Sequence, residues 1–102
     1  MEILYIMTRQ DHLLVILMEE CAEVQKECAK ALRFGLDDWY APSGVVDTNR
    51  EQITHELDDL LGIVGMLRQE NIIDAENPEA QDAKQGKVER YLKYSAQKGL
   101  LT

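Results

Sequence analysis

Two short acidic motifs are the residues in this chain best suited to chemistry. Glu19, Glu20 and Glu23 form an EExxE pattern, and Glu56 and Asp59 form ExxD. On a helix, positions i and i+3 are neighbours with Cβ atoms roughly 5–6 Å apart, so each motif presents a pair of carboxylates on one face. Four carboxylates that converge repel one another and need a compensating cation. Magnesium suits them: it prefers carboxylate oxygens and retained water, and no His or Cys accompanies these acids. A di-iron carboxylate bundle instead requires Glu-x-x-His, and here Gln52 precedes His55 by three positions and Arg9 precedes His12. The same acidic spacing also serves a merely solvated helix face.

The elements that must position these acids are helices. From Arg9 to Phe34 there is no Pro or Gly, and Leu14, Leu17, Cys21, Val24, Cys28 and Leu32 recur at three- and four-residue steps. Thr8 followed by Asp11 is an N-terminal cap, and Gly35 is a stop. Thr48 sits three residues before Glu51, a capping box opening a second helix with the stripe Ile53, Leu57, Leu60, Val64 and Leu67, running to about Gln69. Gly62 and Gly65 weaken that helix unless another backbone approaches closely there. At roughly 100° per residue, Glu20 and Glu23 fall just beside the stripe of the first helix, as Glu56 and Asp59 do on the second. Packing the stripes together therefore gathers both acid pairs along one seam. Glu27 continues the Glu20/Glu23 face, as a supporting group or as an ion pair with Lys30, while Glu19 and Asp58 point away.

Between the two helices, residues 35–47 hold two Gly, a Pro and the only Trp, and form a loop with room for one helical turn at Leu36 to Tyr40. Asn77-Pro78 opens a third, shorter amphipathic helix carrying Val88, Tyr91 and Leu92. Residues 1–8 are short and apolar and stay unassigned. No strand ladder is present, so the predicted fold is all-α: two long antiparallel helices plus shorter ones, in one domain spanning 1–102.

Composition bounds what such a domain can bind. The chain has 102 residues, 45% hydrophobic and 29% charged, with 19 acidic against 11 basic side chains and a formal charge of −8. That balance excludes bare nucleic acid as a partner. Residues 83–102, however, carry +4, which leaves −12 on residues 1–82. The longest apolar run, Leu13 to Met18, is six residues, against the twenty or so that a membrane span needs, so no membrane partner and a cytoplasmic location are expected. Cys21 and Cys28, seven apart on one helix, are roughly 10 Å apart, too far for a disulfide, and are expected to be small buried hydrophobes.

The two acidic motifs, set in ECAEVQKECAKALRFG and ITHELDDLLGIVGML, resemble the MazG-like branch of the all-α nucleoside triphosphate pyrophosphohydrolases, in the small single-domain form that phages and mobile elements carry. The resemblance covers residues from about 10 to 95. It implies magnesium-dependent hydrolysis of (deoxy)nucleoside triphosphates to the monophosphate and pyrophosphate, as nucleotide-pool house-cleaning, with manganese as a substitute ion. Carried over residue by residue, Glu20, Glu23, Glu56 and Asp59 match the family's metal ligands, and Glu19 matches the first Glu of its motif. The stretch between Glu23 and Glu56 departs from the family, being longer here, with Asp37 to Asp47 as the insertion.

A triphosphate also needs cations and a surface for its base. Lys87, then Lys30 and Arg90, are the expected phosphate contacts; Trp39, Tyr40 and Phe34 are the candidates for stacking on the base, Trp39 in the loop first, while Phe34 before Gly35 is expected rather to plug the core at the helix end. Leu13 to Met18 are apolar all round their helix, which a helix on a monomer surface does not need. A homo-oligomer, dimer or tetramer, with a four-helix-bundle core accounts for it. The alternative from another class is a non-catalytic helical oligomer acting as a binding or regulatory module.

Overall fold

Three capping signals set the starts of three helices. Thr8 Oγ1 accepts from the Asp11 amide at 3.1 Å while Asp11 accepts from the Thr8 amide, opening α1 (Arg9–Phe34). Thr48 and Glu51 make the same reciprocal box for α2 (Asn49–Gln69). Asn77 Oδ1 accepts from the Ala80 amide at 3.0 Å, with Pro78 in the first turn, opening α3 (Pro78–Gln97). The computed structural model describes residues 6–102, and within them the chain is all-helical. Of the segment left unassigned from sequence, residues 1–5 lie outside the described residues, and residues 6–8 lead non-helically into the Thr8 cap.

The stops are equally local. Gly35, at φ 103°, ends α1 in a conformation that side chains avoid. Asn71, at φ 58°, ends α2 in a Schellman motif, its own amide donating to Arg68 O and that of Ile72 to Leu67 O at 2.9 Å. The Ile72 side chain then packs back on the core. Gly99 ends α3 in the same way, its amide donating to Ala96 O and that of Leu100 to Ser95 O. Gly62 and Gly65 meet nothing where a Cβ would stand, so no backbone approaches them, and α2 runs through both unbroken.

Helices α1 and α2 pack as an antiparallel hairpin. Its far end, away from the connecting loop, is clasped by Arg9 and Glu70, whose side chains pair twice, at 2.8 and 2.9 Å. Behind that clasp lies the core: Leu13, Ile63 and Leu67 are buried, with Leu14, Leu17, Leu60, Ile72 and Ile73 packed against them. The loop contains a turn at Leu36–Asp37 and a single 3-10 turn at Ala41–Ser43, rather than a helical turn at Leu36 to Tyr40. Pro42 in that 3-10 turn and the left-handed Gly44 that closes it move the helical turn later in the loop.

The face that α1 turns to α2 is not the stripe expected from sequence. Cys21, Cys28 and Leu32 are exposed, Leu32 at 89%. The seam instead runs through Leu13, Leu17, Glu20, Val24, Glu27 and Ala31, opposite Asn49, Ile53, Glu56, Leu60, Ile63 and Leu67. Two overlapping stripes share each helix, offset by about 60–100°, and the hairpin covers one of each. The other, with Met18, Cys21, Cys28 and Leu32 on α1 and Leu57 and Leu61 on α2, stays open on one side of the hairpin. Helix α3 packs against neither α1 nor α2. The radius of gyration is therefore 18.4 Å, against about 13 Å for a compact chain of about 100 residues. Among the described residues no helix is long and apolar enough to cross a membrane.

Candidate functional site

The rotated seam brings carboxylates into the hairpin rather than beside it. Seven residues separate Glu20 from Glu27, two helical turns, so both occupy the face that Leu13 and Leu17 occupy further up α1. Glu56 takes the matching position on α2. The expectation that the acids merely flank the packed stripe is thereby corrected. Glu20 and Glu56 are half-buried and Glu27 is buried, at 5% exposure, while Glu23 and Asp59 stand at the solvent edge.

The four predicted acids fall into two groups that share Glu56. One oxygen each from Glu20, Glu56 and Asp59 lie within 4.8 Å of one another, as do one each from Glu23, Glu27 and Glu56. Glu56 is the hub of both groups. Glu27, expected as a supporting residue or an ion-pair partner of Lys30, does pair with Lys30 and also joins the second group of acids. Its Oε2 is 2.9 Å from Lys30 Nζ, an ion pair outside the angle of a hydrogen bond. Glu19 belongs to neither group and is exposed.

The cluster is short of positive charge. Partial desolvation pushes the Glu56 carboxyl above its ordinary pKa, and the neighbouring charges of Asp59, Glu23, Glu20 and Glu27 push it further. Glu20 Oε2 and Glu27 Oε2 are buried without a hydrogen-bond donor. About 2.1 Å from a magnesium ion, neighbouring carboxylate oxygens stand about 3.0 Å apart and opposite ones about 4.2 Å, so a group of three gathered within 4.8 Å would draw inward to hold one. The donor set, all oxygen and anionic, with two buried oxygens that lack a hydrogen-bond donor, fits a hard divalent cation.

Next to the acids, at the loop end of the hairpin, lies a cavity of about 360 Å³. Lys30 forms the wall it shares with the cluster, donating to Gln52 Oε1 at 2.8 Å. Phe34 and Tyr40 supply aromatic surface, and buried Asn49 forms part of its lining. The loop between α1 and α2 is held in place by backbone and side-chain bonds. Asn49 N donates to Asp38 O, Arg50 N to Leu36 O and Asn49 Nδ2 to Gly35 O, all at 2.8–2.9 Å, and Arg50 pairs with Asp37.

The other predicted substrate contacts fall elsewhere. Trp39 is not on the cavity; its neighbour Tyr40 is. Phe34, expected as a core plug, is 56% exposed on the cavity wall. Lys87 and Arg90 line a groove on α3 with Tyr91 and Tyr94, the Lys87 ammonium lying 5.8 Å from the Tyr91 ring centre. The structure does not bring them to the carboxylates. Sequence reasoning named Tyr40 among the stacking candidates but placed Trp39 ahead of it, and it missed Asn49, whose signal was its place in the first turn of α2, one turn ahead of Ile53 on the seam face. No family model, curated protein or solved structure matches this chain.

Proposed function

We propose that this chain is a magnesium-dependent hydrolase that cleaves (deoxy)nucleoside triphosphates to the monophosphate and pyrophosphate. The observation that carries this reading is the gathering of four carboxylates from two helices around Glu56, in two groups that share it, with orphaned oxygens and a single lysine against them. The resemblance of the EExxE and ExxD motifs to the MazG-like pyrophosphohydrolases supports it independently.

Glu20, Glu56 and Asp59, with Glu23 and Glu27 behind them, would hold the ion. Magnesium bound there supplies charge neutralisation for the phosphates and a more acidic water. The residues of the chain do the rest. Lys30, held by its ion pair with Glu27 and its hydrogen bond to Gln52, keeps ammonium hydrogens to offer a phosphate oxygen. Glu23, exposed where Glu27 is covered, takes the proton of the attacking water. Phosphoryl chemistry of this kind needs positioning and neutralisation more than a nucleophile, so Cys21 and Cys28 have no part in it.

The uncovered stripe of Met18, Cys21, Cys28, Leu32, Leu57 and Leu61 is the surface on which two hairpins would pair as a four-helix bundle, so the working unit is a homo-oligomer, dimer or tetramer. Pyrophosphate release from a panel of nucleoside triphosphates, with and without magnesium, tests the reading. Glu56→Gln and Asp59→Asn should each reduce kcat/KM beyond the roughly 10–100-fold that loss of a supporting group costs. Activity unchanged by either substitution overturns the assignment of the site.

A further inference from the structure

The cavity beside the acids has a hydrogen-bonding character of its own. Its volume, about 360 Å³, falls within the range of small-molecule sites, about 300–1,000 Å³, and would hold a base with its sugar. Tyr40 is 71% exposed and Phe34 56%, so two aromatic surfaces stand open at a concave site, as stacking on a planar ring requires.

The polar lining is partly committed on its donor side, each amide nitrogen keeping a second N–H. Asn49 Nδ2 donates to Gly35 O, Gln52 Nε2 to Asp47 O and Ser43 Oγ to Tyr40 O. The Asp38 carboxylate, also on the cavity, has neither a hydrogen bond nor an ion pair among the described residues. Its backbone is nevertheless anchored, the carbonyl accepting from the Asn49 amide at 2.9 Å, so the side chain starts from a fixed point. Beside the second N–H groups of those amides and the Tyr40 hydroxyl, the lining thus offers one uncommitted carboxylate, an acceptor with two oxygens side by side.

Nucleobases differ in what they present to such an acceptor. The Watson–Crick edge of guanine carries two adjacent donors, N1–H and the 2-amino group, which match the two oxygens of a carboxylate. Adenine and cytosine place their amino group beside a ring nitrogen that is itself an acceptor and would be repelled. Thymine and uracil offer one N–H between two carbonyls.

Resting on the nucleotide reading above, we propose that the cavity holds the base of the substrate and that Asp38 selects guanine, with Phe34 and Tyr40 against its faces. Binding of dGMP and dAMP without metal, followed by calorimetry, tests the cavity apart from the chemistry. Expected is dGMP binding roughly 10- to 100-fold tighter than dAMP. That preference should be lost in Asp38→Asn and kept in Glu56→Gln, and binding of both nucleotides should weaken in Tyr40→Ala. Both loop positions are exposed, so neither substitution threatens the fold. Among triphosphates, dITP, which lacks the 2-amino group, should be hydrolysed less efficiently than dGTP by the native chain and equally by Asp38→Asn. Equal binding of dGMP and dAMP, or a preference untouched by Asp38→Asn, overturns the proposal even if triphosphates are hydrolysed. Guanine-selective binding with no hydrolysis of any triphosphate supports the cavity assignment and overturns the catalytic reading instead.

Discussion

The two halves of the α1–α2 seam share the same helices and the same period, yet one is built of leucine and isoleucine and the other of glutamate. At the far end Leu13, Leu17, Leu60, Ile63 and Leu67 exclude water behind the Arg9–Glu70 clasp. At the loop end Glu20, Glu27 and Glu56 occupy the equivalent positions, and their like charges oppose the packing that holds them. The apolar half provides the free energy with which the acidic half is held together. A carboxylate cluster of this kind is a source of instability that a bound cation turns into a source of stability.

The apolar half should therefore be the more sensitive to truncation. Leu67 is fully buried, and Leu67→Ala should lower unfolding free energy by about 2–5 kcal/mol, read from denaturant melts. A loss under about 1 kcal/mol would mean that the seam draws its stability from elsewhere. The next largest effect belongs to the acidic half. Magnesium at one hundred times its dissociation constant should stabilise the native chain by about 2.7 kcal/mol. Glu56→Gln should melt higher than the native chain without metal, because it removes a charge from the hub, and should lose most of the magnesium shift. A metal-free melt that falls on this substitution breaks the comparison.

The smallest effects are those of pH, and they have opposite sign at the two ends. Glu56 has its pKa raised in the folded chain, so metal-free stability gained at low pH is lost as pH rises through that raised value. Glu70 has its pKa lowered, first by the hydrogen bond from Arg9, so its contribution is present above the ordinary glutamate range and lost as pH falls through the lowered value. Melting temperature followed against pH should thus lose its acid-side fall in Arg9→Gln and its acid-side rise in Glu56→Gln. Because both groups face solvent, these shifts should shrink with added salt.

Much of this architecture is legible in the amino-acid sequence because its causes are local. The Thr8–Asp11 and Thr48–Glu51 boxes, the Asn77-Pro78 start and Gly35 each act within one turn of helix, and the helices begin and end where those residues stand. The i, i+3 spacing of Glu20 with Glu23 and of Glu56 with Asp59 likewise sets their shared faces without reference to anything distant. The Asn71 stop of α2 was also available in sequence, as an asparagine just beyond the last periodic residue.

What sequence periodicity leaves open is which stripe a neighbour will cover, since two overlapping stripes on α1 both carry apolar residues, the more apolar of them is the one left open, and the choice depends on a helix elsewhere in the chain. The tertiary structure alone turns Glu20 and Glu27 into the seam, leaves Cys21, Cys28 and Leu32 outside, and puts Tyr40 rather than Trp39 on the cavity through bonds from Asn49 and Arg50 to the loop. Helix starts, stops and acid spacings were settled by interactions a few residues long. The depth of the carboxylates and the wall of the cavity were decided by contacts between residues far apart in sequence, which only the packed hairpin brings together.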